Sequence, residues 1–195
     1  MEGLKEAGGR RMGDGRGVLP LGPIVDGMFV VVATTALALV GMLAARSEVL
    51  GIEIADTPVA GSLPGWGVTA LGIWMVIVGI VALALPVLAL VVWGRYVSVR
   101  LALLPYVLVV GVQILVEIVF AAVFVPNMVV LVGLIYTGYR LRQLLAARKA
   151  FVATGSPKGY GRAAVTGVLS LGLVFWSANL VFLLFVALPR VVQVS

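Results

Sequence analysis

The chain has no cysteine and no histidine, and only 11% of its 195 residues are charged. The first two absences remove disulfides, thiolate nucleophiles, imidazole acid–base catalysis and the Cys/His-ligated metal, haem and iron–sulfur centres. The scarcity of charge leaves too little to cover a water-facing surface, for which a soluble domain uses about 25%. An ordinary globular enzyme, a disordered chain and a free nucleic-acid binder are thereby excluded. What is abundant is apolar: 62% of the residues are hydrophobic, and the mean hydropathy is +1.18. The composition points to a multi-pass membrane protein. Its partner is the lipid bilayer, with a second membrane protein or self-association as further possibilities. No nucleic acid, cofactor or metal is expected.

A helix needs about 20 apolar residues to cross roughly 30 Å of hydrocarbon. Five runs qualify as helices: about 24–45, 67–93, 101–125, 126–147 and 163–188. The expected fold is an all-α bundle of five transmembrane helices over residues 21–190. A basic, Gly- and Arg-rich tail over 1–20 is expected to be disordered. The first run is too long for the apolar region of a signal peptide and lacks a small-residue cleavage site, so it is read as an uncleaved anchor. Helices three and four are joined only by Val125–Pro126–Asn127, which predicts a tight antiparallel hairpin with Pro126 in the first turn of helix four.

Orientation follows from the basic residues. An N-inside, C-outside arrangement puts Lys5, Arg10, Arg11, Arg16, Arg95, Arg100, Arg140, Arg142, Arg148, Lys149, Lys158 and Arg162 inside. It leaves only Arg46 and Arg190 outside. The location implied is a plasma or other inner membrane, N-terminus on the cytoplasmic side. Helix four is apolar only from Pro126 to Tyr139, so Arg140 and Arg142 are expected to snorkel to the inner interface. Arg148, Lys149, Lys158 and Arg162 join them as candidate headgroup contacts. The segment Ala153–Arg162 contains Gly and Lys158, but Lys158 precedes Gly159 and no strand precedes the loop, so it is not a P-loop. The external loop Arg46–Trp66, with Pro58 and Pro64, reads as an irregular connector.

Glu117 is the informative residue. An ionised carboxylate near the bilayer centre costs at least about 2.5–3.5 kcal/mol, so a helix carries one only with compensation or use. Gln113 lies one turn away on the same face. Counting 1.5 Å of rise per residue places Tyr136, Thr137, Asn179, Ser177, Thr34 and Thr35 in the same layer, slightly outside the midplane. Glu117 is expected to bond to Gln113, Tyr136, Thr137 or Asn179. The layer is either a structural clamp or a site for a proton, cation or small polar solute. Asp26 lies nearer the inner end of helix one, outside this layer. Pro86 is expected to bend helix two.

Two functions from different classes fit these features. The first is a non-catalytic membrane subunit, scaffold or assembly factor, which predicts a lipid-facing surface covered by a partner. The second is a small carrier or channel using the Glu117 layer, which predicts a cavity reaching Glu117. A membrane enzyme would need clustered acid–base groups or a nucleophile. Here the only acidic cluster is Glu48, Glu53 and Asp56 on the external loop, so no catalytic residue is assigned.

Overall fold

The computed structural model describes residues 22–44, 52–54, 63–124, 127–154 and 156–194. The tail over 1–20, Pro126 and most of the Arg46–Trp66 loop lie outside the described residues. Five helices carry the fold: α1 (Pro23–Ala44), α2 (Gly65–Trp93), α3 (Val97–Val123), α4 (Met128–Thr154) and α5 (Gly159–Val191). Most helix ends extend a few residues past the apolar runs. The hydrocarbon sets only the minimum length, and Arg100 and Arg162 are carried inside the ends of α3 and α5.

Four of these helices are long and apolar enough to cross a membrane: Ile24–Leu43 within α1, then α2, α3 and α5. The protein is a membrane-embedded helical bundle. Helix α4 matches α3 at 27 residues, about 40 Å, but Arg140, Arg142, Arg148 and Lys149 interrupt its apolar character. A five-crossing count therefore does not follow from composition alone.

The bundle has two distinguishable ends. At one, Ser98 donates to the carbonyl of Ser156 at 2.6 Å, and Arg162 donates to the carbonyl of Val152 at 2.7 Å. Arg95, Arg100, Arg148, Lys149 and Lys158 gather near these turns, and this is called the basic end. At the other, β1 (Ile52–Ile54) pairs antiparallel with β2 (Val192–Val194), in the register Ile52↔Val194 and Glu53↔Gln193. This ribbon end corrects the expectation of an irregular loop. Both segments alternate β-branched and polar residues, a period-2 pattern that suits a strand.

Two helices contain a π-helical turn, Gly79–Ala84 in α2 and Leu183–Ala187 in α5. Each stands just before a proline. The Leu85 N–H reaches back to Ile80, and the Leu188 N–H to Leu183. Pro86 and Pro189 cannot donate, and their rings crowd the carbonyl four residues back. Opening the turn by one residue relieves that crowding.

Between α2, α3, α4 and α5 the core is dense toward the basic end. Ala82 and Ala89 of α2 pack with Val99 and Leu103 of α3, Phe151 of α4 and Leu169 of α5. A second cluster seats α1 on α3 and α4 through Leu37, Phe120, Val132 and Tyr136. Phe29 of α1 stacks on Tyr139 with ring centroids 3.6 Å apart.

Candidate functional site

Helix α4 carries a polar stripe into the bundle interior. Tyr136, Thr137, Tyr139, Arg140 and Gln143 are all buried. Two of them meet residues placed in the same layer by depth counting. The Tyr136 and Thr34 hydroxyls are 2.9 Å apart. The Asn179 amide donates to Thr137 at 3.2 Å. On α3, Gln113 donates to Oε1 of Glu117, the pair expected from their four-residue spacing. Ser177 and Thr35, by contrast, are exposed. They have the right depth but lie on the outward faces of their helices.

Glu117 opens onto a cavity of about 320 Å3. Its walls come from the ribbon-end halves of α2, α3, α4 and α5, including Trp74, Gln113, Asn127, Gly133, Trp176 and Asn179. Both π-helical turns border it, Val78 preceding one and Leu183 opening the other. Gly133 keeps the space beside the carboxylate open. A Cβ there would stand 3.9 Å from Glu117 Oε1. Trp74 donates its indole N–H to Asn179 Oδ1 at 3.2 Å.

The hydrogen-bond inventory of the cavity is lopsided. The Asn179 amide nitrogen and carbonyl are both engaged. Gln113 Oε1 has no partner among the described residues. Gln113 occupies only one of the two Glu117 oxygens. Acceptors are thus left over, which suits a ligand that brings hydrogen-bond donors.

Arg140 corrects the sequence reading. It was expected to snorkel to the interface, yet it is 1% exposed. Its guanidinium lies 4.1 Å from the centroid of the Trp176 ring, a cation–π geometry. Trp176 in turn donates to the Tyr106 hydroxyl at 2.8 Å. Arg140 Nε has no hydrogen-bond partner among the described residues. The cation is within electrostatic reach of Glu117, Tyr106 and Tyr136. Arg140 thus places a positive charge behind the aromatic wall of the Glu117 cavity.

The other candidate interface cations are at the surface. Arg142, Arg148, Lys149 and Lys158 are exposed and Arg162 half-buried. Arg148 donates to Ser170 at 3.1 Å. Asp26, outside the expected layer, is 6% exposed and bonded to α4 through Tyr139 and Gln143. Among the described residues no three of His, Cys, Asp or Glu gather as metal ligands.

No family model matches the sequence, and no curated protein or solved structure is detectably similar to it.

Proposed function

We propose that the protein crosses the membrane five times, basic end inside, and acts without catalysis as a small carrier or channel. Its solute is polar, small and rich in hydrogen-bond donors, a protonated amine or the proton itself. The carrying observation is the cavity that reaches Glu117 with acceptors to spare.

Three contacts support α4 as a crossing of its own. Gly133 lies by Leu183, Thr137 by Asn179 and Leu144 by Gly172, so α4 runs antiparallel along α5 over this stretch. The β1–β2 ladder also brings the first loop and the C-terminal segment to one end, as an even number of crossings between them, α2 to α5, requires. The basic residues at the other end favour that end as the inner one.

The test is flux into proteoliposomes, with methylammonium and protons as the probes. Saturable flux is expected, falling at least tenfold in Glu117→Gln, which keeps the side-chain shape and removes the charge. Flux equal to that of empty vesicles for both probes, or undiminished flux in Glu117→Gln, would sink the carrier reading.

An accessory-subunit role is the second reading. The ribbon-end half of α2 favours it, because Gly67 is the one buried residue of Gly65–Val78 while Trp66, Ile73, Met75 and Val76 are exposed. Co-extraction of one stoichiometric partner that shields Trp66 and Met75 from labelling would support it.

A further inference from the structure

A second open space lies between α1 and the basic-end half of α3. It is a groove of about 720 Å3, and it shares no lining residue with the Glu117 cavity. Its walls are aliphatic, Val30 and Val31 on α1 and Leu101, Leu104 and Leu108 on α3. Exposed Arg100 marks its mouth toward the basic end. Gly27 leaves the α1 wall open, with no heavy atom within 4 Å of where a Cβ would stand.

Asp26 also lines this groove. Its Oδ1 accepts from the Tyr139 hydroxyl and from the Gln143 amide, the latter at 3.1 Å. Both donors come from α4 and hold the carboxylate in place. Its Oδ2 is buried and has no partner among the described residues. A buried carboxylate is stable only when cations or donors complete its shell, and this one is half complete. The aliphatic walls add the second requirement, a hydrocarbon body.

We propose that the groove binds a lipophilic amine, whose protonated nitrogen donates to Asp26 while its hydrocarbon body packs between α1 and α3. A small inorganic cation would leave the aliphatic walls unused. A phospholipid tail would leave Oδ2 unpaired. The charged and titratable groups around the carboxylate are Tyr139 on α4, Arg100 at the α3 mouth and Arg142, which acts on Tyr139. None of them bonds to Oδ2.

The experiment uses the full chain in phosphatidylcholine nanodiscs, with dodecylamine and dodecanol as matched probes. Saturable dodecylamine binding is expected, weakened at least tenfold in Asp26→Asn, as befits loss of a charge-assisted hydrogen bond. Dodecanol should show no dependence on Asp26. Ser177→Ala, on the outward face of α5 and outside both spaces, should leave the amine affinity within twofold. Asp26→Asn also disturbs Tyr139 and Gln143, so Gly27→Phe provides a second variant that fills the groove with the carboxylate intact. It too should weaken amine binding at least tenfold. Wild-type affinity in either variant would overturn the proposal. So would a phospholipid or partner helix retained in the groove that dodecylamine fails to displace.

Discussion

Among α2, α3, α4 and α5, the basic-end and ribbon-end halves pack differently. Near the basic end, α2 presents Ala82 and Ala89, each 1% exposed, and the helices close around Leu103, Leu169 and Phe151. Near the ribbon end, α2 presents Leu71, Trp74 and Val78, and a cavity remains. Within a bilayer the hydrophobic effect does not draw helices together, so close packing depends on small residues in the seam. Where alanines line it, the backbones approach. Where a tryptophan stands in it, space is left and polar side chains collect.

The sharpest way to break this contrast is one substitution made twice. Leu169→Ala, in the dense half at 0% exposure, should cost about 2–5 kcal/mol of stability. Leu71→Ala, on the cavity wall, should cost under about 1 kcal/mol. Denaturant unfolding in detergent measures both, and equal losses would erase the distinction between the halves.

Arg140 sharpens the comparison at the boundary between them. Arg140→Met removes the cation that faces Trp176 and leaves Glu117 without its counter-charge, and it should destabilise the fold by about 1–3 kcal/mol. The same variant should lower Glu117-dependent flux, because the counter-charge behind the Trp176 wall is gone. A thermal melt paired with the flux assay checks both signs. A stabilised Arg140→Met would mean that the cost of burying the charge outweighs the cation–π contact and the attraction to Glu117.

The smallest effect concerns the seat of α1. Thr34→Val removes the hydroxyl that meets Tyr136 and should cost about 0.6 kcal/mol, the average for a hydrogen bond between membrane helices. A double-mutant cycle with Tyr136→Phe isolates it. Coupling above about 2 kcal/mol would show that the polar stripe, rather than Leu37 and Phe120, holds α1.

Much of the site's depth was legible in the sequence. Rise per residue alone put Thr34, Tyr136, Thr137 and Asn179 at one level, where the structure pairs Thr34 with Tyr136 and Thr137 with Asn179, and four-residue spacing brought Gln113 to Glu117. The same counting failed for Thr35 and Ser177, which have the right depth and the wrong azimuth. It also misjudged Arg140. Its position after a short apolar run suggested an interface residue, yet Trp176 and Tyr106 enclose it. Asp26 was read as a residue of the inner end, and its anchoring by Tyr139 and Gln143 had no signal in the spacing of α1. A weak signal did exist on α4, where Tyr136, Arg140 and Gln143 recur at three- and four-residue intervals.

Composition and apolar run length by themselves determined that this is a helical membrane protein and where most of its helices lie, and rise per residue determined which polar groups share a level along the helices. Only the tertiary structure decided which way each helix turns, and hence that Glu117 and Asp26 face separate spaces and that Arg140 is enclosed. The reason is physical. In water, the apolar side of a helix reveals its inner face. In a membrane both the lipid and the bundle interior are apolar, so rotation about the helix axis is settled by packing against neighbours.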